Sequence, residues 1–150
     1  MERRLTTILS ADVAGYSRLM ARDEAGTLAV LKRHRRELIG PKAADYHGRT
    51  IKLMGDGALM EFGSVVDAVS FAADVQRDLR GRDEAEPEDR RVRYRIGINI
   101  GDVIVDEDDI YGDGVNIAAR LQTLADPGGV CISRTVFHHI QYKVDLQFED

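Results

Sequence analysis

Two aspartates with chemically useful carboxylates stand where predicted strands end. Asp12 closes a short apolar run, and Asp56 lies in an Asp-Gly turn at the tip of a predicted β-hairpin. If these elements are neighbours in one sheet, the two carboxylates converge on a site of hard oxygens. Mg²⁺ prefers such a site, in which a few carboxylates are joined by water and substrate phosphates. The alternative is that Asp12 caps a turn and Asp56 is only a turn residue.

The small residues that follow Asp12 suit a phosphate group. Gly15, Tyr16 and Ser17 lie in a short flexible segment, whose backbone N–H groups can cradle a phosphate together with the start of a following helix. The chain has no Walker A motif, no dinucleotide-binding glycine fingerprint, no His-Glu-x-x-His and no Gly-x-Ser-x-Gly. P-loop hydrolases, dinucleotide enzymes, zincins and typical serine hydrolases are therefore excluded.

The elements that must position these residues follow a β-α-β-β-α-β order with further α and β additions. This order resembles the ferredoxin-like arrangement of an α+β fold. The predicted elements are a strand over 5–12, a helix from Asp23 to about Ala44, hairpin strands over 49–54 and 58–62, a helix capped by Ser64, a strand over 92–105, a helix over 112–125, a strand over 130–132, a short helix capped by Ser133 and a strand over 146–148.

Two charged stretches, 81–91 and 106–109, are interpreted as solvated loops. A group of arginines is interpreted as a solvated strand face, with contact to a partner chain as the alternative: Arg90, Arg91, Arg93 and Arg95.

Length and composition favour one domain over residues 1–150. A hydrophobic fraction of 43% in 150 residues is enough to close a core. The net charge of −5 argues against a nucleic-acid partner. The single cysteine, Cys131, excludes a disulfide framework and indicates a reducing compartment, so we expect a cytoplasmic location. No apolar run approaches the roughly 18 residues that span a bilayer, so we expect no membrane insertion by this segment.

Three segments taken together resemble the signature blocks of class III nucleotidyl cyclase catalytic domains, and most closely those of bacterial adenylate cyclases. The segments are 11–17, 52–57 and 109–120, and the strand over 95–101 also matches. They occur in the family's order and spacing across nearly the whole chain. The resemblance implies the class III cyclase fold, with a ferredoxin-like core and additional α/β elements.

The resemblance also implies a role for each matching residue. Asp12 and Asp56, with the Val13 carbonyl, match the ligands of two divalent ions, Mg²⁺ or Mn²⁺, that bind a triphosphate. Asn116 matches the residue that orients the ribose, and Arg120 matches the arginine that stabilises the transition state. Their spacing of four residues places both on one face of the predicted helix. The alternative for this pair is a solvated surface helix.

Lys52 and Asp109 match the pair that reads the purine. Adenine presents an N6 amino donor and an N1 acceptor, whereas guanine presents the reverse pattern. An acceptor carboxylate beside a donor ammonium therefore suits adenine, while guanylate cyclases of the family tend to carry a Glu and a Cys there. Taken singly, Lys52 is an exposed strand lysine and Asp109 is one more acid in an acidic loop.

The resemblance therefore implies an adenylate cyclase, which converts ATP to 3′,5′-cyclic AMP and pyrophosphate. In the family, one chain supplies the metal aspartates and the other supplies the purine pair, the Asn and the Arg. Because this chain carries both sets, we expect a homodimer with two equivalent sites. Guanylate cyclase and a non-catalytic nucleotide-binding or dimerisation module are the alternatives. Family members usually continue through a last hairpin with a phosphate-binding lysine, so we expect a domain truncated at Asp150.

Overall fold

The computed structural model describes residues 2–149, which contain six strands and six helices. In chain order these are β1 (Glu2–Val13), α1 (Tyr16–Arg22), α2 (Glu24–His34), a π-helical segment (Arg35–Ile39), α3 (Gly40–Asp45), β2 (Gly48–Met54), β3 (Gly57–Phe62), α4 (Val65–Asp83), a 3₁₀ turn (Glu88–Arg90), β4 (Tyr94–Asp106), β5 (Asp109–Tyr111), α5 (Asp113–Leu124), β6 (Val130–Ile132) and α6 (Arg134–Ile140).

The strands form one curled sheet in the order β2-β3-β1-β4-β5, with β6 paired in parallel to β4. The other neighbouring pairs are antiparallel. The first four strands have the order of a ferredoxin-like core, which confirms the predicted fold class. In the order β2-β3-β1-β4-β5, β2 and β5 lie at opposite edges of the sheet. Ile51 of β2 and Ile110 of β5 nevertheless belong to one apolar cluster. The curl therefore brings the two edges of the sheet together.

Helices cover both faces of the sheet. Side chains of a strand alternate between the faces, so Leu9 lies in the larger core with α4, and Ile8 lies in the smaller core beneath α5. Phe71 of α4 is buried in the larger core, and Ala118 of α5 is fully buried in the smaller one. The second helix layer packs α5 against β4 and against the neighbouring β1, which carries Asp12.

Gly97 allows this close approach of α5 to β4. A Cβ atom at Gly97 would collide with the backbone nitrogen of Gln122 and the carbonyl oxygen of Ala118, and would lie 2.9 Å from the Cα of Gln122. These atoms belong to helix backbone and cannot move as the end of a flexible side chain can. A side chain at position 97 must therefore push α5 away from the sheet.

We expect Gly97→Ala to lower the free energy of unfolding by about 2 kcal/mol, within the range typical of overpacked cores. The matched control is Gly81→Ala, because no atom lies within 4 Å of a Cβ there and the residue lies in α4. That change should be neutral or stabilise the helix by up to about 1 kcal/mol. Urea unfolding midpoints test the pair, and equal midpoints for the two variants would contradict the account.

The predicted helix over residues 23–44 is interrupted. Asp23 caps it as predicted, by accepting a hydrogen bond from the Gly26 N–H at 3.0 Å. After α2 the backbone changes to π-helical geometry, and the N–H of Gly40 donates to the carbonyl of Arg35, five residues earlier. Pro41 follows and has no N–H to continue the regular ladder, which accounts for the change.

Three other sequence predictions differ from the structure. Residues 81–83 belong to α4 and do not lie in a loop. Asp109 lies in β5, because Asp106 and Asp109 pair across a tight turn in which Glu107 has φ of 56°. The predicted strand over 146–148 is wrong, since these residues form no regular structure and Phe148 instead packs edge-on against Phe137.

The longest helix in the described range is α4, with 19 residues. Charged side chains such as Asp67, Asp74 and Arg77 occur along its length. Between Glu2 and Glu149 we find no helix with the length and apolar character required to traverse a bilayer.

Candidate active site

Asp12, Val13 and Asp56 come together at one end of the sheet. Asp12 and Val13 are the last residues of β1, and Asp56 lies in the turn between β2 and β3. An Asp56 Oδ2 atom accepts a hydrogen bond from the Val13 N–H at 2.9 Å. The two carboxylates are thus joined through adjacent backbone, as the strand-end prediction requires.

Arg95 forms a bidentate ion pair with Asp12. Its Nε lies 3.0 Å from Oδ1 of Asp12, and its Nη2 lies 2.7 Å from Oδ2. The two residues face each other directly across β1 and β4. Their side chains are about three-quarters buried, and the hydrogen bonds with Asp12 raise the pKa of the Arg95 guanidinium. The interpretation of Arg95 as part of a solvated strand face is therefore wrong.

The composition of this site fits a hard divalent cation. Among residues 2–149, no three His, Cys, Asp or Glu side chains gather into a metal centre. Asp12, Asp56 and the backbone of Val13 supply only a few hard oxygens, which suits an ion that completes its shell with water and substrate phosphates. The guanidinium of Arg95 already places one positive charge on Asp12. The residues present thus suit Mg²⁺ or Mn²⁺.

The π-helical segment supports the turn that carries Asp56. Nη2 of Arg35 donates a hydrogen bond of 2.9 Å to the carbonyl of Gly55. Gly55 has φ of 58°, so the left-handed conformation falls on the residue before Asp56, whereas the sequence predicted it for the Asp-Gly pair. Sequence reasoning missed Arg35, because a helical arginine twenty residues before the turn carries no signal of its own. The π-helical geometry at a functional site is a recurring feature.

Gly15, Tyr16 and Ser17 form the start of α1. Gly15 has φ of 67° and caps the helix without any side-chain hydrogen bond. The backbone before it is fixed, because the Ala14 N–H donates to the Arg93 carbonyl at 2.8 Å. The segment therefore turns sharply next to Asp12 and leaves the N–H groups of the first helical turn without a side-chain cap.

Lys52 and Asp109 meet across the curl of the sheet. Lys52 lies in β2 and Asp109 in β5, and the Lys52 Nζ lies 3.1 Å from Oδ2 of Asp109. Desolvation, the largest single effect, raises the pKa of Asp109, but hydrogen bonds from Lys52, the Ile110 N–H and Tyr111 outweigh it and hold that pKa below its ordinary value. The structure thus pairs a donor with an acceptor that are 57 residues apart in the sequence.

Asn116 and Arg120 lie on the solvent-exposed face of α5. This face is opposite to Gly114 and Ala118, which are buried against the sheet. No hydrogen bond or ion pair within the described part of the chain involves either side chain. Both side chains are therefore accessible to a bound molecule or to a second copy of the chain.

The match to known proteins decides the family. The family model described as the adenylate and guanylate cyclase catalytic domain matches residues 2–150. The chain belongs to this family. The predicted resemblance and the predicted enzyme class are thereby confirmed.

Individual relatives agree with this assignment. The chain is 45% identical over 150 residues to the "Putative adenylate cyclase 3" of Rhizobium meliloti (strain 1021). The alignment covers all of this chain and 26% of that protein. It is 30% identical over 132 residues to an adenylate cyclase of Streptomyces coelicolor, covering 88% of this chain and 33% of that one. The cyclase domain thus spans between a quarter and a third of these relatives.

Solved structures give the same fold. A crystal structure described as an adenylate/guanylate cyclase/hydrolase from Silicibacter pomeroyi has a TM-score of 0.94 and 46% identity, covering 99% of this chain and 87% of that one. The adenylyl cyclase CyaB from P. aeruginosa has a TM-score of 0.78 at 24% identity, with 95% and 84% covered. The second likeness supports the fold of the cyclase domain.

Proposed function

We propose that this cyclase domain is an adenylate cyclase, which forms 3′,5′-cyclic AMP and pyrophosphate from ATP at two sites shared between two copies of the chain. The observation that carries the proposal is the pairing of Lys52 with Asp109 at 3.1 Å. It supports ATP as the substrate, because Lys52 can donate to the N1 atom of adenine while Asp109 accepts from its N6 amino group. Guanine in the same place would leave polar groups unpaired, at about 1–3 kcal/mol for each group.

Asp12, Asp56 and the Val13 carbonyl would hold two divalent cations, Mg²⁺ or Mn²⁺, at each site. Cyclase domains of this family generally use divalent metals. When bound, such ions lower the pKa of the ribose 3′-hydroxyl and neutralise charge on the leaving pyrophosphate. Both oxygens of Asp12 accept from Arg95, so an ion at Asp12 would have to replace at least one of these contacts, and the guanidinium would then be a cationic partner for the triphosphate. The turn at Gly15, Tyr16 and Ser17 would bind phosphate oxygens.

Asn116 and Arg120 would complete each site from the other copy. Asn116 orients the ribose, so that its 3′-oxygen is aligned with the α-phosphorus for in-line attack. Arg120 places a fixed positive charge where negative charge develops on the phosphate. Their exposure on α5 supports this assignment to a homodimer, because it leaves both side chains accessible to a second copy. A cytoplasmic location also remains a prediction, based on the cysteine content.

Product analysis with two nucleotides tests the substrate. Purified chain is incubated with ATP or GTP and Mg²⁺ or Mn²⁺, and the products are separated by liquid chromatography. We expect cyclic AMP with an equal amount of pyrophosphate, and little or no cyclic GMP. Cyclic GMP as the main product would instead support a guanylate cyclase, and nucleotide binding without either product would support a non-catalytic module.

The purine pair gives a sharper prediction. Replacing Lys52 with Glu and Asp109 with Cys reverses donor and acceptor, so the ratio of kcat/KM for ATP to that for GTP should fall by at least about tenfold. Asp108→Asn is the matched control, because Asp108 is an exposed acid in the same turn. The control should keep the wild-type ratio. An unchanged ratio in the double variant would show that another part of the chain reads the base.

A further inference from the structure

Tyr111 lies beside both members of the purine pair. It lies two residues after Asp109 in β5, so the two side chains share one face of the strand. Lys52 Nζ lies 5.5 Å from the centroid of the Tyr111 ring, within the distance of a cation–π contact. The neighbouring Asp109 carboxylate raises the pKa of Tyr111. Tyr111 lies within the signature segment 109–120, but the sequence resemblance assigns it no role.

We propose that Tyr111 is a positioning residue for base discrimination, which holds Lys52 and Asp109 as a fixed donor–acceptor pair. The inference rests on the proposed function, because it concerns how the same site distinguishes adenine from guanine. Tyr111 itself need not touch the base. Its effect passes through the two side chains that it holds from the side.

The need for a third residue follows from the freedom of the other two. The Lys52 side chain is 37% exposed and has a flexible four-carbon stem, so the ion pair alone fixes it weakly. Asp109 is better fixed, because Oδ1 accepts the Ile110 N–H at 2.7 Å and leaves Oδ2 for Lys52. The cation–π contact with the Tyr111 ring is a second interaction of the Lys52 ammonium, and it limits the directions in which the ammonium can donate hydrogen bonds.

A fixed Lys52 has a consequence for the base. While the Tyr111 ring keeps the ammonium beside Asp109, the pair offers one donor and one acceptor at fixed positions, which suits adenine. Guanine presents the reverse pattern, so Lys52 would have to leave the face of the ring to serve it.

Two variants separate the ring from the hydroxyl. Tyr111→Phe keeps the aromatic face beside Lys52 and removes only the hydroxyl, whereas Tyr111→Leu removes the ring as well. The matched control is Tyr142→Phe, because Tyr142 is 95% exposed and lies in the segment after α6, outside the site. Binding is measured by titration calorimetry with 3′-deoxy-ATP and 3′-deoxy-GTP in Mg²⁺, since neither nucleotide has the hydroxyl needed for cyclisation.

We expect the wild-type chain and the control to bind 3′-deoxy-ATP more tightly than 3′-deoxy-GTP. Tyr111→Leu should reduce this preference, measured as the ratio of the two dissociation constants, by about three- to tenfold, whereas Tyr111→Phe keeps the ring and should retain it. A tyrosine with only a structural role would weaken both nucleotides equally and leave the ratio unchanged, which would overturn the inference. A wild-type chain that shows no preference would overturn it as well.

A separate cyclisation assay keeps this inference distinct from the proposed function. If the wild-type chain forms no cyclic nucleotide but its preference for 3′-deoxy-ATP depends on Tyr111, the cyclase proposal fails and the positioning role stands. If it forms cyclic AMP and the binding ratio is the same in all variants, the positioning role alone fails.

Discussion

Replacing Asp56 with asparagine is expected to lower the rate of cyclic AMP formation by about two to three orders of magnitude. An asparagine oxygen can still accept the hydrogen bond from the Val13 N–H, so the turn keeps its geometry. What is lost is the negative charge that a divalent cation requires at this position. The large effect therefore comes from chemistry at the site, while the free energy of unfolding should change little.

The measurement is the initial rate with ATP across a range of Mn²⁺ concentrations, together with a urea unfolding curve for each protein. Asp106→Asn is the control, because Asp106 is exposed at the end of β4 and has no place in the proposed site. It should retain wild-type rates. If Asp56→Asn keeps more than about a tenth of the wild-type rate, the carboxylate has no essential part in cyclisation.

The second large effect is the recovery of cyclase activity when two inactive variants are mixed. Asp56→Asn damages the residues that one copy supplies, and Arg120→Ala damages those that the other copy supplies. In a heterodimer of the two variants, one site carries both defects and the other carries none. A 1:1 mixture in which subunits exchange freely should therefore recover about one quarter of the wild-type activity, since half of the dimers have one intact site.

A second mixture provides the control for this experiment. Asp12→Asn and Asp56→Asn damage the same set of residues, so both sites of their heterodimer are defective and their mixture should remain inactive. Native mass spectrometry establishes that heterodimers form in each mixture. If the mixture of Asp56→Asn with Arg120→Ala contains heterodimers and yet recovers nothing, the two sets of residues do not meet at a shared site.

Local sequence signals predicted the parts of the site that depend on nearby residues. Asp56 was predicted at a hairpin tip because a glycine at positive φ needs no partner elsewhere in the chain, although the structure places that φ at Gly55 and not in the Asp-Gly pair. Ser64 caps α4 by accepting the Asp67 N–H, and Ser133 caps α6 in the same way. Such caps require only residues within one helical turn, so a single sequence is enough to find them.

Contacts between residues far apart in the sequence could not be predicted from the residue pattern of a single segment. Arg95 alternates with apolar residues as a solvent-facing side chain would, but the register of β1 against β4 places it opposite Asp12. Nothing local to either strand specifies that register. The prediction of a solvated strand face is therefore wrong for Arg95, which faces the candidate metal ligand Asp12.

The meeting of Lys52 with Asp109 depends on the curl of the whole sheet. In a flat sheet, β2 and β5 would lie at opposite edges, and the two residues would be separated by three strands. Twist and closure are collective properties of paired strands, and periodicity in one segment does not report them. The family resemblance suggested the pair, and the structure supplies the physical means by which the two residues meet.

The most direct test of a site shared by two copies is the specific activity measured during dilution. Cyclic AMP and pyrophosphate are quantified at a series of protein concentrations, and the fraction of dimer is followed in parallel by analytical ultracentrifugation. The account predicts equal amounts of both products and a specific activity that falls in proportion to the fraction of dimer. A specific activity that stays constant where the chain is wholly monomeric would contradict it.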